Sequence, residues 1–135
     1  MNVRPFALTL GLALLGSGCA PSYTNLTPRS APLAGPDLHH FEVQWDTSRR
    51  GANGPDVKAY VVVGESLYPL QRIPGTPDRW EGDAPIPKDK TIIPYRFKFD
   101  YTFPTITQRL PQSDYSPPYF LELSQTTPHF APPSR

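Results

Sequence analysis

Cysteine is nearly missing from this chain: of 135 residues only Cys19 carries a thiol, so no intrachain disulfide can form and the fold must be held by its core. An excess of one charge is missing too. The 13 basic and 12 acidic residues leave a formal net charge of +1 with histidines neutral, and so balanced a chain lacks the basic surface that nucleic-acid phosphates demand. There is no Gly-x-Ser-x-Gly elbow, no His-Glu-x-x-His pair and no glycine-rich phosphate loop, so the sequence offers no catalytic residue, is read as non-enzymatic, and asks for no cofactor. Helical periodicity is absent as well: after residue 19 no window sustains apolar spacing of three and four. The 19 prolines, nine of them clustered in residues 20–36 and 117–133 and others between candidate strands, remove amide donors and are hostile to helices. What these absences leave is an all-β reading.

Apolar length is concentrated at the start. Arg4 precedes an apolar run over residues 6–15, which is too short to span a bilayer, and small residues Gly16, Ser17 and Gly18 lead into Cys19. This is the layout of a secretory leader, and Leu14-Leu15-Gly16-Ser17-Gly18-Cys19 resembles a bacterial lipobox, with Gly16 where such motifs usually carry Leu. The resemblance implies cleavage between Gly18 and Cys19, a diacylglyceryl group on the Cys19 thiol and a further acyl chain on the new amine. Two or three chains bury enough methylenes, at ~0.8 kcal/mol each, for long-lived attachment to membrane lipid. The alternative is an ordinary secreted protein with a free thiol at its amino terminus. By the same resemblance, Ala20 rather than Asp after the cysteine favours the outer membrane, with the periplasmic side as the expected location.

Cleavage would leave 117 residues, one domain, with Arg4 lost and 12 basic residues facing 12 acidic ones. Residues 19–37 read as a proline-rich tether capable of spanning tens of ångströms, residues 38–123 as the folded domain and residues 124–135 as a tail. Within the domain, Phe41, Val43 and Trp45 alternate with polar residues, the period-two stripe of a half-buried strand. The β-branched run Val61-Val62-Val63 suggests a central strand. Residues 67–73 are a shorter candidate weakened by Pro69, Pro74-Gly75 turns the chain into residues 79–84, and residues 95–103 alternate strictly, with Tyr95, Phe97, Phe99, Tyr101 and Phe103 on one face. Residues 105–118 read as a long loop before a last strand at 119–123. Six short strands without helices predict an antiparallel, immunoglobulin-like β-sandwich, its core formed by Phe41, Val43, Trp45, Ala59, Val61, Val63, Leu70, Ile73, Phe97, Phe99, Tyr101, Leu121 and Leu123.

A valine strand ending in Gly64-Glu65-Ser66, then Trp80-Glu81-Gly82, a proline-bearing loop and Tyr95-Arg96-Phe97 resemble the early-set immunoglobulin-like sandwiches that accompany glucan-active enzymes and glycogen-binding modules. The Phe-Asn-x-Trp element of those modules is absent. The resemblance implies a glycan-binding alternative in which Trp80, Tyr95, Tyr68 and Tyr60 serve as stacking platforms beside Lys58, Arg96 and Asp83. The expected partners are otherwise other envelope proteins, met through edge strands or the aromatic face of residues 95–103. No metal site is expected: neighbouring His39 and His40, with Asp37, point to opposite faces of a strand, and Asp78, Glu81, Asp83 and Asp89 lack the glycine-punctuated loop of a calcium site.

Overall fold

The computed structural model describes residues 21–48, 52, 54 and 56–125. Among them there is no helix, and nine strands are formed: β1 (Ser22–Asn25), β2 (Ser30–Pro32), β3 (Leu38–Asp46), β4 (Lys58–Val63), β5 (Ser66–Arg72), β6 (Arg79–Pro85), β7 (Ile92–Pro104), β8 (Arg109–Tyr115) and β9 (Tyr119–Ser124). The period-two stripes explain the longest of them. In β3 the residues Phe41, Val43 and Trp45 are buried while their neighbours are not, and in β7 burial alternates from Ile93 to Tyr101.

The strands join into one hydrogen-bonded sheet in the order β1-β3-β6-β5-β4-β7-β9-β2, with β8 alongside β7. All pairs are antiparallel except β2 with β9. The sheet curls about β5, which pairs with β4 through residues 66–70 and with β6 through Gln71 and Arg72. Gly82 permits this bend: a Cβ there would lie 2.9 Å from both the Pro69 carbonyl oxygen and a Leu70 methyl. Curling brings the two halves of the inner face together, so that β3 packs on β7 although β6, β5 and β4 separate them along the sheet. Trp45 stacks on Phe99 with centroids 4.3 Å apart, and Phe41 meets Tyr95 edge-on at 5.0 Å. Twelve of the thirteen core residues expected from the sequence are buried, Ile73 being half-buried.

The expected tether differs most from what is found. Residues 22–25 and 30–32 are strands, and they are the two terminal strands of the sheet. Only Leu26, Thr27, Pro28 and Arg29 connect them, which keeps the two ends of the sheet within about 17 Å of each other. Thr27 is buried at this seam, its hydroxyl donating to the Glu42 carbonyl at 3.1 Å and accepting from the Glu42 amide at 3.0 Å. Asn25 Nδ2 donates to the Tyr95 hydroxyl at 2.8 Å, tying β1 to β7 across the interior. Composition hid these strands, because short edge strands are held by partners rather than by a stripe of their own.

The loop expected at 105–118 likewise contains β8. β8 and β9 both run antiparallel to β7, with Lys98 opposite Tyr115 but Tyr95 opposite Tyr119; the register slips by one residue between them, as at a β-bulge. Pro117 and Pro118 donate nothing there. The Ser116 amide donates to the Phe97 carbonyl at 2.9 Å, and the Ser116 hydroxyl accepts from the Phe97 amide at 2.8 Å. Two turns use glycine at positive φ: Gly64 (φ 63°) opens the two-residue β4–β5 hairpin, and Gly75 (φ 79°) follows Pro74 in a turn closed by Thr76 N–H to the Ile73 carbonyl at 3.1 Å.

Candidate interaction surface

The strand alternation that buries Phe97 and Phe99 turns Arg96, Lys98 and Asp100 outward. Cross-strand register then sets Tyr60 of β4 and Tyr115 of β8 on either side of Lys98, and Lys58 and Ser113 on either side of Asp100. The Lys98 ammonium lies 5.7 Å from the Tyr60 ring centre and 5.9 Å from that of Tyr115, and the Arg96 guanidinium lies 4.4 Å above Tyr115. Such cation–ring contacts are worth about 0.5–1 kcal/mol when exposed. Lys98 donates to Asp100 at 2.8 Å and Ser113 donates to the same carboxylate at 2.5 Å. Burial alone would raise the Asp100 carboxyl; these two hydrogen bonds, with the charges of Lys98 and Lys58, outweigh it and hold the group below its ordinary value. The hydrogen bond to Asp100 holds Lys98 above its own.

This outer face is therefore a pre-ordered patch of cations on aromatic rings, with Tyr115 46% exposed. Exposed Leu67, opposite Val62, flanks it on β5, and exposed Phe120, opposite Pro94, flanks it on β9. A polar centre with apolar margins is a surface suited to binding, and within it the Ser113 hydroxyl is held by the Asp100 carboxylate. The alternation in β7 was a usable signal for Arg96 and Lys98. Tyr115 gave none, because its strand reads as a loop.

The four aromatic platforms expected from the sequence are not brought together. Trp80 is 5% exposed and Tyr95 3%. Trp80 is covered on one side by the Arg72 guanidinium, 4.4 Å from its ring centre, and meets Phe99 edge-on at 6.0 Å; Tyr95 is packed against Phe41, Phe97 and Tyr119, and its burial raises the hydroxyl's pKa. Tyr68 lies opposite Val61 and packs on the core, whereas Tyr60 lies opposite Pro69 on the outer face. Trp80 and Tyr95 are thus core residues, since the inward stripe of a curled sheet has no solvent side. The aromatic face of residues 95–103, expected to meet partners, is covered for the same reason; only Phe103 at its end is partly open.

His39 and His40 point to opposite faces. His39 meets Phe41 edge-on at 5.1 Å, and burial, then the His40 charge, lowers its pKa. His40 sits between Asp83 at 3.0 Å and Glu81 at 3.4 Å on the outer side. Gly18 and Cys19 lie outside the described residues; β1 begins three positions after Cys19, at Ser22. No protein-family model matches this chain, and no curated protein or solved structure matches it.

Proposed function

We propose that this chain is a bacterial envelope lipoprotein, anchored through acylated Cys19, whose β domain serves as a non-catalytic interaction or structural module on the periplasmic side of the outer membrane. The observation that carries the reading is the run Leu14-Leu15-Gly16-Ser17-Gly18-Cys19, with the chain's sole thiol at its end. The fold is compatible with this: the first described strand begins at Ser22, three positions past the cysteine. Partners are other envelope proteins, and the Tyr60–Lys98–Tyr115 face is the patch on which we expect them to dock, its side chains already ordered by one another.

Growth with an alkyne-bearing fatty acid, followed by coupling to a fluorophore, tests the anchor. The wild-type chain takes up label and partitions into detergent; Cys19→Ser does neither. Equal labelling of both chains contradicts the proposal. For the patch, a photo-crosslinker at Tyr115 captures a reproducible protein neighbour that is lost on Arg96→Glu, and capture unchanged by that substitution removes this face from the account. The glycan-binding alternative loses Trp80 and Tyr95 to the core, and no observation favours it.

A further inference from the structure

The β7–β8 hairpin projects beyond the rest of the sheet. β4 leaves β7 at Asp100, whereas β7 continues to Pro104 with β8 as its companion. The hairpin closes in a turn where the Thr105 amide donates to the Gln108 carbonyl at 2.8 Å. Ile106 at its apex is wholly exposed (104%), Leu110 is also exposed, and Leu110 lies opposite partly open Phe103. From Phe103 to Gln112 there is no acidic residue, and Arg109 is the sole charge. The tip thus sets Ile106, Leu110 and Phe103 among uncharged polar residues, with its one cation, Arg109, 3.4 Å from Asp56, a near-neutral composition that can rest among phospholipid headgroups.

Its position points the same way. Tyr23 of β1 lies beside Phe99 with centroids 6.1 Å apart, and Asn25 bonds Tyr95, so moving toward the start of β1 runs parallel to moving toward the end of β7. The tip and the amino-terminal end of β1 are at the same end of the domain. Pro104 stands five residues past Phe99, about 16 Å at strand rise, and Cys19 stands four residues before Tyr23, at most about 14 Å of chain. At full extension the chain could carry Cys19 about as far as the level of Phe103, so the hairpin tip reaches at least as far in that direction as the anchor.

We infer that the tip of the β7–β8 hairpin is a second membrane contact, in which Ile106, with Phe103 and Leu110 beside it, enters the headgroup region of the leaflet that holds the Cys19 lipid. The inference rests on the anchorage proposed above. Two contacts at one end fix the orientation of the domain and turn the β4–β5 hairpin away from the bilayer, leaving the side of the sheet free for a partner.

The test uses the mature acylated chain, residues 19–135, in phosphatidylcholine vesicles whose chains carry bromine, a short-range quencher of indole emission. Ile106→Trp places an indole at the tip, and Glu65→Trp places one at the opposite end. Trp45 and Trp80 are buried and supply a common background. The account expects quenching of the Ile106→Trp chain at least about twofold that of the Glu65→Trp chain. Equal quenching in chains whose mass shows the lipid overturns the tip contact and leaves anchorage standing. A mass without the lipid on Cys19 overturns both.

Discussion

Trp45 and Phe99 stack 4.3 Å apart and 20° from parallel, across an interior whose two walls belong to the same sheet. Phe99 also receives Trp80 and Tyr23, so this ring is where β1, β3 and β6 all lean on β7. Trp45→Ala should therefore cost about 3–5 kcal/mol by loss of apolar contact and opening of a cavity. Tyr60→Ala, on the outer face, should cost within about 1 kcal/mol. Urea unfolding of the two variants checks the contrast, and similar losses would contradict the curled arrangement.

The seam makes a sharper prediction. A chain beginning at residue 38, where the sequence alone places the start of the domain, lacks both terminal strands and the Asn25 and Thr27 hydrogen bonds. With native stabilities of roughly 5–15 kcal/mol, it should lose cooperative unfolding by circular dichroism, while a chain beginning at residue 21 should retain it.

At the bulge, Ser116→Ala removes the hydroxyl that accepts from the buried Phe97 amide. Neither Pro117 nor Pro118 interferes with that loss or repairs it. The expected cost is about 1–3 kcal/mol, read as a lower urea midpoint with an unchanged slope.

His39 gives the fold a pH dependence of known sign. The unfolded chain takes up a proton near pH 6.5, whereas burial and the His40 charge hold the folded imidazole lower, with Asp83 pulling partly the other way. Protons thus favour the unfolded state: this share of stability is fully present above about pH 6.5 and is lost as pH falls through that value toward the folded pKa. His39→Phe should flatten the fall in urea midpoint between about pH 7.5 and about pH 5.5, and an unaltered fall would assign it elsewhere.

Legibility followed physical cause. The stripes Phe41-Val43-Trp45 and Tyr95 to Tyr101 were readable because alternate burial leaves alternate chemistry, and the Pro74-Gly75 turn was readable because it needs those residues. The sequence expectation was an antiparallel sandwich; a curled mixed sheet satisfies the same stripes, since each needs only some apolar face opposite. β1, β2 and β8 were not legible. Their residues are held by hydrogen bonds to β3, β9 and β7, and partnership leaves no mark in composition. Trp80 and Tyr95 were misread as platforms because an aromatic on a strand looks the same whichever way its face turns. Arg96 and Lys98 were legible as an outward pair, but the ring of Tyr115 between them was not.

The most direct test of the account is the intact mass of the mature chain recovered from the envelope. The account predicts a polypeptide beginning at Cys19 and heavier than residues 19–135 by a diacylglyceryl group and an amide-linked acyl chain, with both additions and the cleavage lost in Cys19→Ser. An unmodified chain beginning at Cys19 in the soluble fraction would contradict it.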